Sequence, residues 1–85
     1  MENSVFRDKN ILVTGGKGMV GRALIRLLEK ESPKRITIAD LPEYDLRERI
    51  DCKTVCDGQD IIFHVAGINL KHLQKNVRLN QLVIV

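Results

Sequence analysis

NILVTGGKGMVGRALIRLLEK, residues Asn10 to Lys30, decides how the chain folds. Its first five residues, NILVT, are largely apolar and β-branched, the composition of a buried strand. From Met19 onward the apolar residues Met19, Val20, Ala23, Leu24, Leu27 and Leu28 recur at three- and four-residue spacings, which predicts a helix with these residues on one face. Pro33 then stops it. Between strand and helix lies TGGKGMVG. A glycine-rich turn in that context says more than the glycines alone. Gly15 lets the chain leave the strand in a tight turn. Gly18 has no side chain to obstruct a pyrophosphate against the backbone, and Gly21, one turn into the helix, lets the helix pack close to the strand. The helix N-terminus, at Met19 and Val20, offers unpaired N–H groups and a partial positive charge to that anion. A P-loop would need a Lys-Ser or Lys-Thr pair after the loop; none follows, and Lys17 stands inside it at the wrong spacing.

RITIAD, rich in isoleucine, reads as a second strand and ends in Asp40, nineteen positions after Gly21. An acid there accepts hydrogen bonds from the adenosine ribose hydroxyls and repels a 2′-phosphate, so NAD is expected and NADP disfavoured. Leu41 and Pro42 supply no arginine for such a phosphate, although Arg22 or Arg35 could still reach it. LPEYDLRE is turn-like, with extended residues at Tyr44 to Leu46 forming a short third strand. RERIDCKTVCDG suits a helix, with Ile50, Val55, Cys52 and Cys56 on its apolar side and Gly58 as its stop. DIIFHVAG is the fourth strand, ended by Gly67. Strands without strict alternation, separated by helices, indicate a parallel sheet covered on both faces. Right-handed crossovers then give the spatial order 3-2-1-4. The expected fold is α/β, a partial Rossmann fold with its sheet flanked by helices. The tail begins as a helix near Leu70 and ends in Leu82 to Val85, an apolar run of the kind that enters a core.

Composition narrows the functional classes. The chain has 85 residues, room for one small domain or part of a larger one. Its 14 Lys and Arg residues give a net charge of +3 but are spread along the chain, and Phe6, Tyr44 and Phe63 are its only aromatics. A nucleic-acid binder would pair a basic groove with stacking aromatics, so nucleic acid is not expected. No apolar run reaches the about 18 residues of a membrane span, and MENSVFRDKN lacks the apolar stretch of a signal peptide. No membrane association and a cytoplasmic location are expected. Cys52 and Cys56 are too few for a four-ligand zinc site and do not form C-x-x-C, so they read as reduced structural thiols with no metal site.

Three segments together resemble the extended short-chain dehydrogenase/reductase family, the NAD-dependent epimerase/dehydratase group. TGGKGMVG matches its T-G-x-x-G-x-x-G loop. YDLRE resembles its short Asp-Leu segment, which implies Asp45 near the adenine amino group and Leu46 against the ring. DIIFHVAG resembles its fourth strand, which implies Val65, Ala66 and Gly67 beside the pyrophosphate and ribose. The resemblance covers about residues 7 to 69. Two departures stand out. Only four residues separate Asp40 from Asp45. More consequentially, the family's Tyr-x-x-x-Lys pair is missing: the single tyrosine, Tyr44, is followed four residues later by Glu48. His64, within a buried strand, reads as a packed histidine, and His72 has no identifiable partner. Asn76 and Asn80 are loose candidates for an asparagine that the family carries on a later helix, although RLNQLVIV does not follow its V-x-G-T pattern.

The resemblance implies the N-terminal, NAD-binding segment of a nucleotide-sugar epimerase, dehydratase or reductase. Residues 1–85 are then a single, incomplete dinucleotide-binding domain without the catalytic and substrate-binding part, and no catalytic residue is assigned. The alternative is a non-catalytic dinucleotide-binding or protein-interaction module. Its apolar C-terminal end would pair with a second copy or with a larger partner chain.

Overall fold

The computed structural model describes residues 4–65 and 70–84, the side chains of 70–72 excepted. The strand NILVT is β1 (Asn10–Thr14), followed by α1 (Met19–Glu29), β2 (Arg35–Ala39), α2 (Arg49–Cys56), β3 (Ile61–His64), α3 (Leu70–Lys75) and β4 (Leu82–Ile84). All strand pairs are parallel, in the order β2-β1-β3-β4. The protein is thus α/β with a parallel sheet between helices, a partial Rossmann fold.

Successive residues of β1 point to opposite faces and build two cores. Ile11 and Val13 face α1 and pack with Leu28 and Ile61, flanked by Phe6, Leu24, Ile25 and Phe63. The Phe6 and Phe63 rings lie 5.9 Å apart. Leu12 faces the other way, with Ile62, Cys52, Val55, Cys56 and Leu73 under α2 and α3. Fully burying one such aliphatic side chain contributes about 1.5–3 kcal/mol, which is why β1, fully buried from Ile11 to Thr14, sits at the centre.

The structure departs from the sequence reading at three places. Tyr44 to Leu46 form no strand. The Asp45 N–H donates to Asp51 Oδ2 (2.8 Å), the Arg47 N–H turns back to Asp45 Oδ1 (2.9 Å), and Cys52 Sγ donates to Leu46 O (3.2 Å). The segment is therefore folded onto the start of α2 and cannot pair with β2. The expected order 3-2-1-4 thus loses its first member and keeps the rest as β2-β1-β3. The tail supplies β4 on the opposite edge, with Val83 packed against the core and Leu82 and Ile84 exposed. The helix faces also differ. In α1, Met19, Val20, Ala23 and Leu27 are exposed, and the inward face is Gly21, Leu24, Ile25 and Leu28. In α2, Ile50 is exposed while Cys52, Val55 and Cys56 are buried. A three- and four-residue pattern fits two adjacent stripes, and close packing against the sheet selects the one containing Gly21.

Candidate functional site

Thr14 pairs with Ala39 on one side and with His64 on the other. This row ends the sheet, so the next residues, Gly15, Asp40 and Val65, leave it at the same edge. In open α/β sheets this edge, beyond the carboxyl ends of the strands, is where ligands bind.

Gly15 adopts φ 70°, a left-handed conformation in which a side chain is strained. Its N–H donates to Ala39 O (2.9 Å), and its own carbonyl accepts from Gly18 N–H (3.2 Å). The loop then delivers α1, whose N-cap is Gly18, with no side-chain cap and no acid in the first turn. Arg22 N–H bonds Gly18 O (2.9 Å). Among the described residues nothing accepts from the N–H groups of Met19, Val20 or Gly21, so the first turn keeps its donors for an anion. The glycines differ in kind. A Cβ on Gly21 would meet Gly15 O at 2.4 Å and Gly16 Cα at 2.7 Å, so Gly21 lets the helix approach the loop leaving the strand. A Cβ on Gly18 would meet only Gly15 O, at 3.5 Å. Gly18 therefore borders open space, as a surface for pyrophosphate requires.

Asp40 faces this loop from the end of β2. Its Oδ2 accepts from the Lys17 N–H (3.1 Å) and its Oδ1 from the Leu41 N–H (2.9 Å). Each oxygen keeps acceptor capacity for a ribose hydroxyl. Beyond Asp40 opens a cavity of about 190 Å³. Ala39, Leu41, Tyr44 and Leu46 supply apolar wall, and Asp40, Asp45 and Arg47 supply charge. Pockets that enclose a drug-sized ligand run from about 300 Å³ upward. This cavity suits a single heterocycle, with the rest of a ligand lying across the glycine loop.

Asp45 lines that cavity but is already engaged. Its carboxylate accepts from Arg47 N–H, Nε (3.0 Å to Oδ1) and Nη2 (2.8 Å to Oδ2). The Arg47 side-chain hydrogen bonds, then its backbone N–H, hold the Asp45 carboxyl below its usual range. Leu46 is largely buried in the core and shows only its margin to the cavity. Val65 packs into the core on the α1 side. Ala66 and Gly67, and the side chain of His72, lie outside the described residues. His64 is buried, its Nδ1 2.8 Å from Thr14 Oγ1, the packed position expected of it. Both cysteines are free and buried. Burial, and after it the neighbouring Cys52 thiol, pushes the Cys56 thiol up to about 11. Among the described residues no group of His, Cys, Asp or Glu is placed to hold a metal ion.

The site thus brings Gly15, Gly18, Met19, Val20, Gly21 and Asp40 together at one edge, with Asp45 and Leu46 in the adjoining cavity. Sequence reasoning missed Leu41, Tyr44 and Arg47 as cavity walls, and Lys17 and Glu43 as partners. The only signals available were the position of Leu41, Glu43, Tyr44 and Arg47 in the segment after Asp40 and that of Lys17 inside the glycine loop.

A glycine loop feeding a helix N-terminus, an acid at the end of the next strand and a ring-sized cavity define a dinucleotide-binding domain of Rossmann type. The model of the NAD dependent epimerase/dehydratase family matches residues 11–83. The chain belongs to that family, and membership implies a nicotinamide dinucleotide as cofactor. The open face of Gly18 and the uncapped first turn of α1 fit such a group. An uncharacterized membrane protein of Methanocaldococcus jannaschii is 30% identical over 90 aligned residues, covering 84% of this chain and 26% of that protein. A GDP-L-fucose synthetase from Naegleria fowleri superposes with a TM-score of 0.57 at 26% identity, over 87% of this chain and 27% of that one. Pen from Bacillus thuringiensis shares the fold with a TM-score of 0.67 at 24% identity, over 76% of this chain and 27% of that one. The chain therefore spans about a quarter of the length of these relatives. No helix among its described residues is long and apolar enough to cross a membrane.

Proposed function

We propose that this chain binds NAD across the sheet edge, as the cofactor half of a nucleotide-sugar oxidoreductase of the epimerase, dehydratase or reductase kind. The pyrophosphate lies on Gly18 and on the N–H groups of Met19 and Val20. The ribose hydroxyls bond Asp40, and adenine enters the cavity bounded by Leu41, Asp45 and Leu46. Val65, the residue after β3, borders the cofactor. The observation that carries this reading is the pairing of an open Gly18 face with Asp40 across one loop. The match to a GDP-L-fucose synthetase supports the nucleotide-sugar class. A cytoplasmic setting is part of the same reading.

With no Tyr-x-x-x-Lys pair, residues 1–85 bind cofactor but lack the family's proton-transfer machinery, so turnover needs residues from elsewhere. The exposed Leu82 and Ile84 on the edge strand β4 favour a second role in the same chain, pairing with another copy or a larger partner. Calorimetric titration with ADP and NAD tests the cofactor reading. Adenosine and pyrophosphate contacts dominate, so the two should bind with similar affinity. An NAD affinity hundreds of times stronger would require a nicotinamide pocket and contradict the assignment.

A further inference from the structure

The glycine loop and the turn after β2 are also joined by two side chains that the cofactor reading does not use. Lys17 immediately precedes Gly18. Its backbone N–H donates to Asp40 Oδ2 (3.1 Å), while its ammonium donates to Leu41 O (2.9 Å) and to Glu43 Oε2 (2.5 Å). One residue thus touches the Asp40 carboxylate with its main chain and the residue beside Asp40 with its side chain. The lysine hydrogen bond, with a smaller contribution from its charge, holds the Glu43 carboxyl below its usual range.

Both side chains are about half exposed, 46% and 60%, and pairs of that kind add little to stability. Their consequence is electrostatic. A ribose seated on Asp40 would lie beside Lys17, whose main chain touches that carboxylate and whose ammonium sits on the carbonyl of the next residue, Leu41. A lysine without an anionic partner there would attract a 2′-phosphate. Glu43 takes that cation instead, and the three charged groups at this corner, Asp40, Glu43 and Lys17, sum to one negative charge.

We propose that Glu43 is a specificity-determining residue: by holding Lys17 it withholds this cation from the 2′-phosphate of NADP and so sets the preference for NAD. The proposal rests on the dinucleotide reading above and adds to the charge of Asp40 a second, separable determinant. Glu43 acts through Lys17 and makes no contact with the nicotinamide half.

The test is calorimetric titration of NAD and NADP into the full chain and into its E43Q, K17Q and K17Q/E43Q variants, with melting curves as a folding control. Both residues are exposed and outside the core, so all four proteins should melt alike. In E43Q the ratio of NADP to NAD affinity should rise about fivefold or more at low salt, and the rise should shrink at high salt. In the K17Q background the same substitution should give less than half that gain. An ion pair that merely braces the loop would weaken NAD and NADP by the same factor and leave the ratio unchanged, which would overturn the proposal. So would a gain undiminished without Lys17. If the chain binds NAD but E43Q leaves the ratio unmoved, the cofactor assignment survives and only the role of Glu43 falls. If neither dinucleotide binds the unsubstituted chain, both fall together.

Discussion

Adding one methyl group to Gly21 and one to Gly18 should have opposite consequences. In Gly21→Ala the new Cβ falls 2.4 Å from Gly15 O and 2.7 Å from Gly16 Cα, both backbone atoms that no rotamer change can move aside. Helix α1 must retreat by on the order of 1 Å from the loop. Overpacking a tight contact costs about 1–3 kcal/mol, and a clash with main chain belongs at the upper end. Alanine in place of glycine inside a helix returns about 1 kcal/mol. The clash wins by about 2 kcal/mol, which for a chain of this size lowers the melting temperature by roughly 10 °C. In Gly18→Ala the Cβ has no neighbour closer than 3.5 Å, and φ −77°, ψ 174° is open to any residue. Only the weaker N-cap preference of alanine remains, about 1 kcal/mol or less. The side chain would nevertheless stand where the pyrophosphate lies, so NAD binding should be lost. Melting curves and NAD titrations on both variants separate the effects. A Gly21→Ala protein as stable as the parent would refute the close approach of helix and loop. A Gly18→Ala protein that binds NAD at parental affinity would refute the placement of the pyrophosphate.

Asp40→Ala removes a charged acceptor, whose hydrogen bonds are each worth about 1.5–3 kcal/mol. NAD affinity should fall at least tenfold and NADP affinity much less; equal losses would argue against the ribose role. A third prediction concerns pH. The Cys56 thiol is raised from 9.0 to about 11, so the folded state holds its proton more tightly than the unfolded chain does. Its contribution is fully present below pH 9 and is lost as pH rises towards 11, up to roughly 2–3 kcal/mol. Between those values the melting temperature should fall more steeply than in Cys56→Ala, where the thiol is absent; parallel curves would show that this thiol is not the cause.

Much of this architecture can be read from the sequence because its determinants are local. NILVT and DIIFHVAG are apolar runs that only a two-sided sheet can bury, and the loop between strand and helix needs Gly15 at φ 70°. Asp40 is found because its place at the end of the strand fixes where its carboxylate goes. Other features depend on non-local packing. Tyr44 to Leu46 have strand-like residues, but Asp51 and Cys52, six residues beyond Asp45 and Leu46, capture their backbone groups. The stripe that α1 buries depends on Gly15 and Gly16 lying against Gly21, a contact across the loop that periodicity does not encode. Arg47 occupying the Asp45 carboxylate, and Glu43 occupying Lys17, are side-chain choices between several possible partners. In the sequence they are charges in a turn; only the folded chain shows which pairs meet.

The central claim is that the glycine loop holds a dinucleotide. It is tested most directly by a thermal melt of the purified chain with and without about 1 mM NAD, since a ligand stabilises the state that binds it by RT ln(1 + [L]/Kd). A dissociation constant near 10 μM would raise stability by about 2.7 kcal/mol, a shift of roughly 10 °C or more. The account predicts a cooperative melt that moves upward with NAD and does not move in Gly18→Ala. A cooperative melt that NAD leaves in place would keep the fold and contradict the function.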